Sequence, residues 1–288
     1  MTAKLPGGVG RVPAPLLFLA GAGAMYVGAS LAVGLFRVLS PATVAWLRLV
    51  GAAVVLLVWR RPERTAWRGR RVLLAGGFGL VTAVMNIAFY EAISRLPLGT
   101  AVAVEFCGPV AVAALSSRGV RDWMALLVAA AGVLLVSDTR WHGAQAGIVW
   151  ALAAALAWAG YIVLAKRVAL GGNGVDDMAV GFVVAAALLS PLAAGSGPVW
   201  GDGRLLALAV GVGVLSSVVP YALDQVVLRR IGRARFSVLL ALLPMTATVV
   251  GLLVLHQVPG PLECAGIGAV VVAVALRSKA EDEPVPPD

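Results

Sequence analysis

Charge is scarce in this sequence. Only 13% of the 288 residues are Asp, Glu, Lys or Arg, against roughly 25% in an ordinary globular chain. A soluble domain would lack the charged surface that keeps it in solution. Reactive side chains are scarce too. Cys107 and Cys264 sit in apolar runs with no CxxC neighbour, which excludes a thiolate metal knuckle and a disulfide framework and leaves both as small core residues. His142 and His256 fall in two short outer loops and belong to no HExxH pair, so a metal site is not expected. Neither a G-x-S-x-G elbow nor a phosphate-cradling glycine loop occurs, which leaves an intramembrane enzyme without its nucleophile. No cofactor is expected. Long polar connections are missing as well: the longest runs from Arg60 to Arg71, and no separate soluble domain remains.

What fills the chain instead is apolar surface. Sixty per cent of the residues are apolar and the mean hydropathy is +0.94. Helices of about 20 residues cross a hydrocarbon core of roughly 30 Å, and ten such runs are present, at 14–36, 41–59, 72–95, 98–117, 120–137, 143–165, 176–194, 205–228, 234–254 and 260–276. The expectation is an all-α, multi-pass membrane protein of ten transmembrane helices. The first run is too long, and too closely followed by a second, to be a cleaved signal peptide. Thirty-four glycines, spread through the spans, suit close helix packing in lipid.

The net charge of +9 follows from topology rather than from a nucleic-acid partner. With the amino terminus inside, 18 of the 23 basic residues fall on inner segments, among them the six arginines of RRPERTAWRGRR; only Arg37, Arg95, Arg140 and Arg204 fall on outer ones. That bias places both termini in the cytoplasm, in a cell membrane whose lipid surrounds the spans.

Superimposing the halves at an offset of 135 aligns Pro109 with Pro244, Arg95 with Arg230 and Leu96 with Ile231. Each half then holds five spans. An odd number reverses the orientation of the second half, so the repeat must be inverted: 1–140, then 141–277, then a polar tail at 278–288. Inverted repeats meeting near the midplane are a common plan of secondary transporters. Pro109, Pro191, Pro220 and Pro244 lie inside spans, where each removes a backbone donor.

Ionisable groups inside spans face the protein interior or a wet cavity. Four qualify: Arg48, Glu91, Glu105 and Asp224. Arg48 lies seven residues inward from Pro41, and Glu105 seven inward from Leu98, which puts both roughly 10 Å below the outer end at about 1.5 Å per residue. Equal depth makes them candidate partners, although Arg48 is also long enough to snorkel outward. Glu105 is too short for that, and is read as accepting a substrate amine or carrying a proton. Glu91 is a second candidate for coupling or gating, with an i,i+4 ion pair to Arg95 as the competing role. Asp224 is a third, with Leu228 rather than a base at i+4 and Arg229 or Arg230 at reach. Tyr26, Asn86, Tyr90, Trp158, Tyr161 and Tyr221 carry polar tips suited to a small polar ligand in an apolar cavity.

GASLA at 28–32 with LRL at 47–49, PLG..VAVEF.GP from Pro97 to Pro109, WAGYIVL at 158–164 and SSVVPYALD at 216–224 together resemble the drug/metabolite transporter superfamily, EamA type, and most closely its threonine/homoserine exporter group. The similarity covers nearly the whole chain. It implies ten helices in two inverted five-helix halves and export of small amino acids or related metabolites, driven by proton exchange. Carried onto this chain, the matching positions are Arg48, Glu105, Trp158, Tyr161, Tyr221 and Asp224. The family often has a glutamate just before the ninth-span proline and a Gly-Glu pair at that span's end; here stand Leu243 and His256-Gln257. Arg48 would then orient a substrate carboxylate, Glu105 an ammonium or a proton, with the aromatics shaping the pocket. Two other readings stay open: efflux of drugs or apolar cations, which needs Glu105 but not Arg48, and a non-transporting receptor or assembly protein.

Overall fold

The computed structural model describes residues 12–117, 120–138, 145–169 and 174–280. Every regular element among them is helical: α1 (Ala14–Leu35), α2 (Pro41–Arg60), α3 (Gly69–Ile93), α4 (Leu98–Glu105), α5 (Cys107–Ser117), α6 (Val120–Asp138), α7 (Gln145–Ala169), α8 (Gly174–Leu188), α9 (Gly197–Gly201), α10 (Gly203–Gly213), α11 (Val219–Leu240), α12 (Leu243–Leu255) and α13 (Pro261–Ala280). A 3-10 segment at Ser190–Ser196 follows α8, and a π-helical turn at Val214–Val218 joins α10 to α11. Six stretches are long and apolar enough to cross a membrane; Asp176–Leu188 and Ser190–Gly201, bent by 67°, make a seventh if they form one broken span. The chain is therefore an all-helical, multi-pass membrane protein. Pro261–Leu276 and Leu243–Leu255 are shorter apolar helices.

Proline dictates where the helices break. Pro109, Pro191, Pro220 and Pro244 each lie within the first three residues of a new helical segment, the place where a missing N–H costs least. Each also deprives the carbonyl four residues earlier of its donor. The affected residues are Glu105, Ala187, Ser216 and Leu240. Chain irregularities follow at those points: α4 ends at Glu105, α8 at Leu188 and α11 at Leu240, and Ser216 sits in the π turn. One boundary differs from expectation. The arginine-rich stretch between the eighth and ninth expected spans is helical, because arginine is a good helix former, and the chain breaks instead at Ala241 and Leu242 ahead of Pro244.

Helices before residue 140 pack extensively on helices after it. α3 packs on α7 as α1 packs on α11; α3 meets α8 as α2 meets α10; α4 meets α7 as α1 meets α12. Three further contacts, α2 with α8, α4 with α12 and α6 with α13, also join the two stretches of chain. Several of the closest approaches depend on glycine. A Cβ on Gly79 would overlap the Gly181 carbonyl, and one on Gly28 would overlap the Ser216 side chain. Cys107 is half-buried, as a packing residue should be, whereas Cys264 on α13 is exposed, so it is not part of the core.

Because the Gly79 obstacle is backbone, it cannot rotate away. Gly79→Val should lower the thermal stability of the purified protein in detergent by about 1–3 kcal/mol or abolish folding, the usual range for overpacking. Gly51→Ala, with nothing within 4 Å of the added carbon, should leave the melting temperature unchanged.

Candidate functional site

Pro220 explains the most unusual pairing in the molecule. Without an N–H at 220, the Ser216 carbonyl has no i+4 donor, and the backbone winds into a π turn in which Val219 N–H donates to Val214 O. In a bilayer interior a bare carbonyl must find a donor. Arg48 of α2 supplies it: Nη2 donates to Ser216 O at 3.0 Å, and Nε donates to Ser217 Oγ at 3.3 Å. Ser216 Oγ in turn donates to Met25 O of α1 at 3.4 Å, directly under Gly28. Arg48 thus ties α2 to the irregular turn of the second half.

Above the Arg48 guanidinium lies Tyr90, with Cζ 5.8 Å from the ring centroid. Tyr90 is fully buried among Phe36 and Phe89, yet among the described residues its hydroxyl has no hydrogen-bond partner. Such a group costs about 1–3 kcal/mol when left unpaired. Its donor is available to whatever enters beside Arg48.

Glu105 closes the group. It is the last residue of α4, 9% exposed, and among the described residues it takes part in no hydrogen bond and no ion pair within 4.0 Å. Arg48 and Tyr26 are its electrostatic neighbours. The expected meeting of Arg48 and Glu105 is therefore one of proximity and not of contact, since the guanidinium is turned to the carbonyl that Pro220 releases. Immediately after Glu105, Phe106 takes the edge of Trp158 of α7, with ring centroids 4.8 Å apart, so the chain break and Trp158 adjoin.

The remaining expected residues lie elsewhere or are otherwise engaged. Asn86 is half-buried and donates Nδ2 to Thr82 O of its own helix at 2.8 Å. Tyr161 packs on Phe78, 5.0 Å between centroids, in a separate apolar cluster with Phe182 and Leu49. Glu91 forms the i,i+4 ion pair with Arg95 at 2.5 Å. Asp224, one helical turn past Pro220, is half-buried and has no ion pair among the described residues. Tyr221 lies on α11, its side chain outside the described residues, as are Arg140 and His142. Ser216, Ser217 and Pro220 are the members that charge and depth alone overlook; counting four residues back from each interior proline finds the carbonyl, though not its donor.

A bundle of apolar helices broken around a buried carboxylate and an arginine defines a membrane transporter. The comparisons with known proteins give the family. The EamA-like transporter family matches residues 145–278. The threonine/homoserine exporter RhtA of Escherichia coli (strain K12) is 31% identical over 276 residues, covering 93% of each chain, and that of Salmonella typhimurium (strain LT2) is 32% identical with the same coverage. A solved crystal structure shares the fold at 19% identity with a TM-score of 0.58, over 94% of this chain and 99% of that one. This chain belongs to the EamA-like transporter family, whose members move small molecules across membranes rather than transform them.

The Ser216 carbonyl makes the role of Arg48 testable. Arg48→Ala should destabilise the protein by about 1–3 kcal/mol, the cost of orphaning a buried acceptor. On a Pro220→Ala background, where residue 220 regains its N–H, the same substitution should cost less than half as much in a thermal-unfolding double-mutant cycle. Additive effects would show that Arg48 and Pro220 act separately.

Proposed function

We propose that this chain is a secondary active exporter of small zwitterionic solutes, with threonine- or homoserine-like amino acids as its substrate class and protons as the coupling ion. One observation carries the reading: Glu105, a buried carboxylate with no hydrogen-bond or ion-pair partner among the described residues, ends a broken helix within the electrostatic reach of Arg48. Glu105 receives the ammonium group or the proton. Arg48 has five N–H donors, two of them committed to Ser216 and Ser217, and the rest face the substrate carboxylate. Tyr90 offers its unpaired hydroxyl, and Tyr26 and Trp158 enclose the apolar side. Asn86, Tyr161 and Tyr221 are more distant candidates for lining the path. Glu91 and Asp224 are candidates for gating at the outer and inner ends. The relatives named threonine/homoserine exporters support the solute class.

The architecture behind this mechanism is ten helices in two inverted five-helix repeats, 1–140 and 141–277, followed by a polar tail at 278–288, with both termini in the cytoplasm. The matched helix pairings support the repeat. The arginine bias supports the orientation.

A second reading has its own observation. Since the Arg48 guanidinium is partly spent on Ser216 and Ser217, Glu105 alone suffices for efflux of an apolar amine.

The experiment that separates these readings uses proteoliposomes with radiolabelled threonine, homoserine and a hydrophobic amine, each with and without an inward proton gradient. Threonine and homoserine counterflow is the expected result; counterflow of the amine alone transfers the function to the second reading. Glu105→Gln mimics the protonated acid but releases no proton. If Glu105 carries the proton, exchange persists and gradient-driven accumulation disappears. If Glu105 binds the ammonium, affinity falls about tenfold or more as a charge-assisted contact becomes neutral. Unchanged affinity and accumulation would remove Glu105 from the mechanism. For the orientation, a cysteine replacing exposed Thr65 should react in intact cells with membrane-permeant reagents only; labelling by an impermeant one overturns it.

A further inference from the structure

The helix that ends in Glu105 is only eight residues long and has no cap of its own. Its N-cap is Pro97, which has no side chain able to accept from the first turn. Gln257 caps it instead, and Glu263 holds the same turn through a side chain. Gln257 Oε1 accepts the Leu98 N–H at 2.9 Å, and Glu263 Oε1 accepts the Thr100 hydroxyl. Both come from the α12–α13 connection, whose shape aims them there. His256 ends α12 with a left-handed backbone, φ 55°, and Gln257 N–H closes back on Gly251 O at 3.0 Å, which turns the Gln257 side chain toward α4. Glu263, three residues past Gly260, accepts the Gly260 N–H through its second oxygen at 3.3 Å, as the acid of a capping box does. Glu263 is 2% exposed, a cost that a carboxylate tolerates only when its oxygens are occupied.

We infer that Gln257 and Glu263 form a latch in trans, which holds the short helix α4 across the outer side of the site and so positions Glu105; opening to the outside requires the latch to let go. Three features support movement at this place. α4 is bounded by the latch at one end and by the irregular turn at Phe106 at the other, the two places where its attachment is weakest. The latch joins the two halves, which alternating access must separate. Its bonds are few and polar, and can be exchanged for water at the outer face. Gln257 and Glu263 are thus positioning residues: they touch α4 and not the solute. The inference rests on the topology and export reading above for the direction it assigns to the latch.

The test reads accessibility rather than transport. In a chain with Cys107→Ala and Cys264→Ala, a cysteine replaces Ala101, which is fully buried in α4. A membrane-impermeant maleimide is then added outside intact cells. The cysteine should react slowly when the latch is intact. Gln257→Ala or Thr100→Val should speed the reaction about fivefold each, the factor expected when one net hydrogen bond is lost from a closed state. Thr100→Ser keeps the hydroxyl and should leave the rate unchanged. Equal rates in all four folded proteins overturn the latch. Because no solute is involved, that failure is distinct from an absence of threonine counterflow, which would count against the export reading alone.

If the substitutions prevent folding, a second measurement decides. A Cβ on Gly251 would stand 3.5 Å from that of Leu98, within the range for a disulfide. Leu98→Cys with Gly251→Cys should cross-link on oxidation and pin α4 to α12. Counterflow of a solute carried by the reduced protein should stop on oxidation and return with a reductant. Full counterflow by the cross-linked protein overturns the inference.

Discussion

The carbonyl of Ser216 is the group on which the site depends. Pro220 takes away its donor, the bilayer offers no water in exchange, and a π turn opens the backbone just enough for a side chain from the other half to reach it. Arg48 fills that role at 3.0 Å. An arginine in a membrane interior is otherwise a burden; here its desolvation is offset by a backbone acceptor, a serine hydroxyl and an aromatic ring. The result is a cation fixed in place without being neutralised. A buried carboxylate nearby, Glu105, then feels a positive charge without being locked into contact with it.

Similar logic runs through the other breaks. Each interior proline lies at the start of a helical segment and leaves a loosened turn behind it. Small residues let the segments approach: Gly79 against Gly181, Gly28 against Ser216. Away from that site, Arg60 and Arg71 pair with Asp176 and Asp177 at 3.0 and 2.5 Å, so two residues of the arginine-rich connection anchor α8 to α2 and α3. Partly exposed ion pairs of this sort are worth only about 0–1 kcal/mol each.

Much of this is legible in the order of the amino acids. Apolar runs reveal the membrane setting because hydropathy is a sum over residues and survives small errors of boundary. Glu105 stands out since a short acid at that depth has no route to the interface, and Glu91 with Arg95 obeys plain helical spacing. Where sequence and structure part, the missing information is direction. Depth puts Arg48 beside Glu105 but cannot say that a freed carbonyl competes for the guanidinium. Tyr161 has the right polarity and helix, yet its ring faces Phe78. Glu263 lies so close to the outer start of its span that its depth marks it for no role, and Gln257 stands where the family often has an acid; both act through a loop whose left-handed turn at His256 no periodicity reveals. The run of arginines suggests a loop where the chain stays helical, because propensity and charge point opposite ways and the proline decides.

The matched packing of the halves has a consequence for biosynthesis. α1 leaves the ribosome well before α10, α11 and α12, yet those are the helices that pack it. Its tightest contact, at Gly28, waits for Ser216. Until then α1 lies in lipid with its glycines facing nothing, and α3 has the same wait, somewhat shorter, for α7 and α8. Neither half can complete a core alone, so the nascent chain stays open until nearly all of it has been inserted. A stalled or truncated product ending before α10 would therefore be a loose set of helices rather than half a transporter, and a natural substrate for membrane proteases.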